Sequence, residues 1–134
     1  MGSFFVMKNI KTKQIWSSNY AFNQKKEKNY QISFMPDRDE QELLNGNIKT
    51  TIKTTISSQE PVEIRRVIFE NQGNQEEILE VTSYFEPVLS KKEQDYAHPV
   101  FNNLFLITKF DEETNSLIVK RKKRQIDDKE IYLA

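Results

Sequence analysis

The chain has 134 residues, and its 20 basic side chains balance its 20 acidic ones, so it carries no formal net charge. This balance disfavours nucleic acid or an anionic membrane surface as the main partner and favours an uncharged one. The length suits one domain with a substantial core. Because the sequence has no cysteine, disulfides, thiolate metal sites and a cysteine nucleophile are excluded.

The N-terminal residues carry no targeting signal. Residues 1–8 lack the cationic flank and extended apolar segment of a secretory signal peptide, and no long uninterrupted apolar run occurs elsewhere in the sequence. We therefore expect a cytoplasmic protein without membrane insertion.

The first third of the chain predicts three short strands separated by polar turns. The polar residues from Asn9 to Lys13 favour a turn that would make the first two strands a hairpin. A polar, cationic stretch over residues 19–29 has no periodicity and is predicted to be a loop, and Pro36 ends the third strand. The predicted strands cover residues 4–8, 11–17 and 30–34.

The strongest local signal is the dipeptide Asn45-Gly46, which tolerates the positive φ angles of a tight hairpin turn. Residues 48–56 then alternate isoleucine or threonine on one face with threonine or lysine on the other, which predicts a strand with one buried face. The next strand, over residues 62–70, becomes apolar on both faces towards its end. That pattern predicts a strand deep between two layers.

The remaining residues predict further short strands and no helix of ordinary length. Turn-forming clusters at residues 71–75 and 111–115 separate these strands, and residues 90–95 are predicted to be a solvated loop. Regularly spaced strands joined by polar turns are typical of an all-β, antiparallel sandwich. The strands are predicted over residues 78–88, 104–110 and 117–120.

Few residues suggest catalysis. His98 is the single histidine; it has the chemistry of a general base or a phosphate ligand, and equally that of a packed loop residue that donates one hydrogen bond. A lone histidine without cysteines gives no metal-ligand spacing, so no metal site is predicted. The basic clusters, Arg65-Arg66 and residues 120–124, are interpreted as solvated charges.

Carboxylates are numerous, and a glycosidase needs two of them about 5 to 10 Å apart. Glu80 and Glu86 lie on one predicted strand with about 20 Å between them, so they cannot form such a pair together. Glu63 on a neighbouring strand is a further candidate, although charged strand residues more often cover a solvated sheet face.

Aromatic residues near strand ends offer flat apolar faces with polar neighbours, which suits stacking on sugars. A small sandwich also needs most of its aromatic side chains between its sheets, so a core role is open for each of them. The candidate carbohydrate-binding residues are Trp16, Tyr84, Glu86, Tyr96, His98 and Phe101.

Two sequence blocks carry a family resemblance: residues 82–89 (TSYFEPVL) and residues 97–105 (AHPVFNNLF), preceded by residues 61–67 (PVEIRRV) and 70–74 (ENQGN). In their order and separation they resemble the β-sandwich region of glycoside hydrolase family 94, formerly glycosyltransferase family 36. This family includes cellobiose phosphorylase and the phosphorylase-like part of cyclic β-1,2-glucan synthase, and the second branch is the more similar one. The resemblance extends from Phe4 to the Lys120 region.

The resemblance implies an antiparallel β-sandwich of the galactose-mutarotase-like supersandwich type. It implies one domain over residues 1–134 that forms part of a larger sandwich. No segment resembles the (α/α)6 barrel that carries the catalytic groups of the family, so the resemblance implies no catalytic residue, no cofactor and no activity of the chain on its own.

Two functional hypotheses follow. The first is a non-catalytic carbohydrate-binding or scaffolding module of a β-glucan phosphorylase or cyclic β-1,2-glucan synthase, whose partner is a β-glucan oligosaccharide or the rest of the enzyme. The alternative is a free-standing mutarotase-type epimerase that uses His98 as acid or base. Because the strands over residues 48–56 and 104–110 carry apolar area that an incomplete sandwich leaves uncovered, we also expect a homo-oligomer.

Overall fold

The computed structural model describes residues 2–19, 30–97, 99–123 and 131–134. This part of the chain forms mainly strands, with two short helices late in the sequence. The strands are β1 (Ser3–Asn9), β2 (Ile15–Ser17), β3 (Tyr30–Phe34), β4 (Asp39–Asn45), β5 (Ile48–Ile56), β6 (Glu63–Asn71), β7 (Leu79–Phe85), β8 (Leu106–Asp111), β9 (Ser116–Arg121) and β10 (Tyr132–Leu133). The helices are α1 (Lys92–Ala97) and α2 (Pro99–Asn103).

The chain divides into two compact units. The first unit, Ser3–Tyr84, holds a three-stranded sheet in the order β2-β1-β7 and a four-stranded sheet in the order β3-β4-β5-β6. The second unit comprises Met1–Gly2 and Phe85–Ala134, and its described residues form both helices and a three-stranded sheet in the order β10-β9-β8.

The opening hairpin of β1 and β2 confirms the sequence prediction, but its turn is longer than expected. The side-chain oxygen of Asn9 accepts hydrogen bonds from the backbone N–H groups of Lys11 and Thr12 at 2.9 and 3.0 Å, and the Asn9 N–H donates to the Gln14 carbonyl at 2.9 Å. These bonds satisfy the backbone locally, as asparagine does in many turns. The second strand therefore begins at Ile15 instead of Lys11.

The hairpin at Asn45-Gly46 is also confirmed. Asn45 pairs with Ile48 across antiparallel β4 and β5, so Gly46 and Asn47 form a two-residue loop. Gly46 has a φ of 57°, whereas Asn47 has no positive φ. A positive φ at the first central residue alone is typical of a type II′ turn, in which glycine is favoured because it has no Cβ.

The two sheets of the first unit pack face to face around an apolar core. Met7 and Trp16 from one sheet and Ile48 from the other form a cluster, and all three side chains are buried. Leu43 and Ile52 are buried on the same face of the four-stranded sheet as Ile48. The predicted antiparallel β-sandwich is therefore confirmed, and the alternation of β5 places its buried face as expected.

The burial predicted for β6 is wrong. This strand lies at the edge of its sheet in the described part of the chain, and Ile64 is 55% exposed. Ile64 and Ile68 lie on the face opposite the core, because their pairing partners on β5 are Thr55 and Thr51. β6 therefore has apolar residues on both faces, but among the described residues no second layer covers its outer face.

The two helices of the second unit are the largest difference between the predicted and the observed secondary structure. Residues 90–95 were expected to be a solvated loop, but α1 begins at Lys92 and α2 follows it. Glu93 and Asp95 in the first turn of α1 interact favourably with the positive end of the helix dipole. The β8–β9 hairpin is confirmed, with Asn115 in the left-handed region of its turn. β10, which pairs with β9, was not predicted.

We predict that Gly46→Ala lowers the free energy of unfolding by about 1 to 2 kcal/mol, the cost of a left-handed backbone for a residue with a Cβ. Apart from the glycine and its two chain neighbours, no heavy atom lies within 4 Å of the position that this Cβ would occupy, so the loss should come from the backbone alone. Denaturant unfolding should show a lower midpoint at an unchanged slope. Asn47→Ala in the same turn is the control, and a change below about 0.5 kcal/mol is expected for it. Equal losses in the two variants would contradict the assigned turn.

Candidate functional site

The core-facing side of the four-stranded sheet changes from apolar to polar along its strands. Near the hairpin turn it carries Leu43 and Ile48, which are buried. At the opposite end one row of paired residues crosses all four strands: Phe34 pairs with Asp39, Asp39 with Thr54, and Thr54 with Arg65. Paired residues share a face of the sheet, so these four side chains continue the inner face beyond the core.

A cavity of about 420 Å³ opens at this polar end. The start of β1 supplies part of its wall, and the inner face of the four-stranded sheet supplies most of the rest. We call this cavity the polar recess. Its polar side chains are Ser3, Ser18, Asn19, Tyr30, Asp39, Gln41, Thr54, Glu63 and Arg65.

Arg65 is held in place by two neighbours. Its Nε lies 2.5 Å from Glu63 Oε1, and its Nη1 donates to Ser3 Oγ at 2.6 Å. Because these contacts fix the guanidinium at two points, the side chain is ordered before any ligand binds. These contacts use two of the five guanidinium N–H groups, so three remain to be offered to a ligand, two on Nη2 and one on Nη1.

Tyr30 contributes an uncharged hydroxyl group to the recess. Burial and, to a smaller extent, the nearby carboxylate of Asp39 raise the pKa of Tyr30 above its usual value of 10.0. Both effects act against the phenolate. Tyr30 therefore remains a neutral phenol at physiological pH, with one donor and two acceptor lone pairs.

A second cavity, of about 590 Å³, adjoins the polar recess. Asp39, Thr54 and Glu63 line both cavities. The second cavity extends over the end of the sheet towards Phe34 and Ile56, which are 84% and 72% exposed. We call it the outer groove. Its remaining lining residues are Met35, Pro36, Asp37, Arg38, Thr55 and Ser58.

Trp16 does not occupy a binding surface. Its side chain is 1% exposed and packs in the core cluster with Met7 and Ile48. Since both ring faces are covered by protein, Trp16 has the core role that the sequence left open and offers no stacking face to a sugar.

The other candidates lie at the surface but outside both cavities. Tyr84 is 49% exposed and packs against Phe4, a residue of the polar recess, with 4.8 Å between ring centroids. Glu86 is exposed, and its backbone N–H donates to the Gly2 carbonyl at 3.1 Å.

Tyr96 and Phe101 lie in the second unit. Tyr96 is 78% exposed, and Lys92 Nζ lies 5.8 Å from its ring centroid. Phe101 is 52% exposed and meets Phe105 edge to face at 5.2 Å. His98, the remaining candidate, lies outside the described residues. The structure therefore brings none of the described candidates into the polar recess.

Sequence reasoning identified few of the residues that line the recess as candidate site residues. Glu63 was considered as a carboxylate, and Arg65 was interpreted as a solvated charge. The missing signal was the pairing register. Once the Gly46 turn sets Asn45 opposite Ile48, Asp39 faces Thr54 and shares the buried face of β5. Counting residues back from that turn would have placed Asp39 and Gln41 on the inner face.

The described residues include no group of three or more aspartate, glutamate, histidine or cysteine side chains placed to hold a metal ion. Among the same residues, no helix is long and apolar enough to cross a membrane. The site thus consists of hydrogen-bonding groups beside exposed apolar side chains.

Comparison with known proteins adds a family assignment. The family model described as "Glycosyl hydrolase 94, supersandwich domain" matches residues 1–134. The chain is also similar to the cyclic beta-(1,2)-glucan synthase NdvB of Rhizobium meliloti (strain 1021), with 29% identity over 133 residues. The matched region covers 99% of this chain and 5% of the relative's length.

We predict that Tyr30 contributes a late component to the alkaline titration of tyrosine absorbance. The component should ionise above pH 10, should be absent in Tyr30→Phe, and should shift downwards in Asp39→Asn because one of its two causes is removed. Since the folded-state pKa is raised, the associated stability is fully present below the unfolded pKa of about 10 and is lost as the pH rises through the folded value. A wild-type titration that Tyr30→Phe leaves unchanged in shape would contradict the burial of this phenol.

Proposed function

The chain belongs to the glycosyl hydrolase 94 supersandwich family, and we propose that it works as a non-catalytic, carbohydrate-binding and scaffolding module of a β-glucan phosphorylase or cyclic β-1,2-glucan synthase. The family match over residues 1–134 is the observation that carries this proposal. The similarity to a protein named as a glucan synthase, of which the chain spans 5% of the length, supports the role of one module within a larger enzyme. On the sequence grounds given above, we place it in the cytoplasm.

The polar recess has the composition that an uncharged sugar requires. Sugar hydroxyl groups both donate and accept hydrogen bonds, so a good site offers acceptors and donors side by side. In the recess, Asp39 supplies carboxylate acceptors, Arg65 supplies guanidinium donors, and Gln41 supplies both through its amide. Hydrogen bonds to charged groups are stronger than neutral ones. The carboxylates of Asp39 and Glu63 exceed the guanidinium of Arg65 by one negative charge, so an uncharged ligand is favoured over an anion.

The exposed aromatic residues remain accessory candidates in this proposal. Tyr84, Tyr96 and Phe101 each present an accessible ring edge or face, and Glu86 is exposed. The two compact units are proposed to act together as one domain of a larger sandwich. No observation on the described residues favours the alternative epimerase, which depends on His98.

We predict that linear β-1,2-glucooligosaccharides perturb the NMR signals of the recess at millimolar concentration, including the side-chain amide of Gln41. Arg65→Ala should weaken this binding about tenfold, equivalent to about 1.4 kcal/mol, because it removes a charge-assisted donor. Arg66→Ala is the matched control: it removes the same charge from the next residue of β6, which faces the opposite side of the sheet. An absence of any perturbation would refute sugar binding, and equal effects of the two variants would refute the recess as its location.

We also propose that the chain self-associates through its second unit. β5 lies between β4 and β6 and so provides no free edge, and Ile48 and Ile52 on its inner face are buried. β8, however, is the edge strand of its three-stranded sheet in the described residues. Its Phe110 pairs with Leu117 on β9, and these side chains are 53% and 59% exposed. An exposed apolar pair at a sheet edge favours pairing with a second copy.

Sedimentation equilibrium across a micromolar concentration range measures this association. We expect a concentration-dependent dimer for the native chain and a weaker one for Phe110→Lys, because a charge at the edge opposes strand pairing. Phe34→Lys, which places the same charge on the first unit, should leave the dimer intact. A monomer at every concentration would show that the edge of β8 does not mediate assembly.

A further inference from the structure

Four chemically different side chains stand in one row across the four-stranded sheet. In strand order they are the phenyl ring of Phe34, the carboxylate of Asp39, the hydroxyl of Thr54 and the guanidinium of Arg65. Neighbouring strands lie about 4.8 Å apart, so the row spans about 14 Å from β3 to β6. This span is longer than a single sugar ring.

Phe34 is a large apolar side chain of this row that is not buried in the core. With 84% of its surface exposed, it is the most exposed large apolar side chain in the described part of the chain. It lines the outer groove with Ile56, which is 72% exposed. The electron-rich face of an aromatic ring attracts the positively polarised C–H groups of an apolar sugar face, and the contact also removes apolar area from water.

The outer groove and the polar recess share the two central residues of this row as part of their walls. Asp39 and Thr54, the two central residues, line both cavities, whereas Phe34 lines only the outer groove and Arg65 only the recess. A ligand that extends over the carboxylate and the hydroxyl would therefore contact the walls of both cavities. Hydrogen-bonding groups in the middle and an aromatic ring at one end suit a chain of linked sugars, since each ring presents both hydroxyl edges and an apolar face.

We propose that this row binds an extended, uncharged glucan chain across both cavities. One sugar ring stacks on Phe34, the following ring exchanges hydrogen bonds with Asp39 and Thr54, and the chain ends against Arg65 in the recess. The inference rests on the proposed carbohydrate-binding function and adds to it the position, direction and minimum length of the ligand.

The test compares glucose, the β-1,2-linked disaccharide and longer linear β-1,2-glucooligosaccharides by calorimetry or NMR titration against the full chain. We expect affinity to rise with chain length until the row is filled. Phe34→Ala should weaken binding of the longer oligosaccharides about three- to tenfold, the range expected for one aromatic contact, and should leave the affinity for glucose unchanged. Phe34→Trp should retain the gain with length, because it keeps an aromatic face.

Two substitutions control for indirect effects. Leu104→Ala removes an exposed apolar side chain, 68% exposed, from the second unit. Lys53→Ala alters the adjacent row, in which Lys53 pairs with Glu40 and Arg66 on the opposite face. Both variants should bind the longer oligosaccharides like the native chain. Since Phe34 is almost fully exposed, its replacement should not lower the unfolding midpoint, and denaturation of the same samples checks this.

The outcomes separate this inference from the function on which it rests. If affinity is independent of oligosaccharide length, or if Phe34→Ala has no effect on the longer chains, the extended mode is refuted while sugar binding in the recess stands. If no glucan of any length binds, both proposals fail. If Phe34→Ala instead weakens self-association in sedimentation, the ring belongs to a protein contact and the extended mode is likewise refuted.

Discussion

The pairing register that the β4–β5 hairpin sets is the constraint on which the rest of the first unit depends. Gly46 adopts a φ of 57°, and the turn that it permits places Asn45 opposite Ile48. Because successive strand residues point to opposite faces, a slip of one residue would exchange every side chain between the two faces. Ile48 and Ile52 would then leave the core, and the lysines of β5 would enter it. The turn at Gly46 therefore determines both which side chains form the core and which side chains line the recess.

The outer face of the four-stranded sheet shows the other consequence of this register. Lys53 Nζ lies 3.1 Å from Glu40, and Lys49 Nζ lies 2.6 Å from Glu42. The hydrogen bond to Glu42 raises the pKa of Lys49. Such solvent-exposed pairs are screened by water and contribute little net stability, so the burial of Trp16 and its neighbours dominates stability. The ion pairs make the outer face polar on β4 and β5, whereas Ile64 and Ile68 on β6 are exposed apolar residues of the same face.

Local sequence patterns predicted strands and turns, but they did not predict which side chains other parts of the structure cover. The strand over residues 30–34 and the Asn45-Gly46 turn follow from alternation and turn chemistry, which act within a few residues. Ile64 lies on the outer face, so its exposure depends on whether another layer covers that face, and no local pattern contains that information. The helix at Lys92 has 6 residues, too few to show a 3.6-residue period. The recess was missed for a related reason: Asp39 and Arg65 are 26 residues apart in the sequence and meet only through β5.

The stability of the core and the proposed ligand binding in the recess depend on different residues, although the same sheet contributes to both. Trp16 and Met7 fill the apolar end completely, so the sandwich needs no ligand to cover its core. At the polar end, Glu63 and Ser3 already hold Arg65, and a site whose groups are ordered in advance loses less conformational entropy when a ligand binds. We therefore expect substitutions in the row from Phe34 to Arg65 to act mainly on affinity for the proposed glucan, and those at Trp16 to act mainly on folding. This division is what the proposed role requires, since a module of a larger enzyme would have to keep its shape whether or not a glucan is bound.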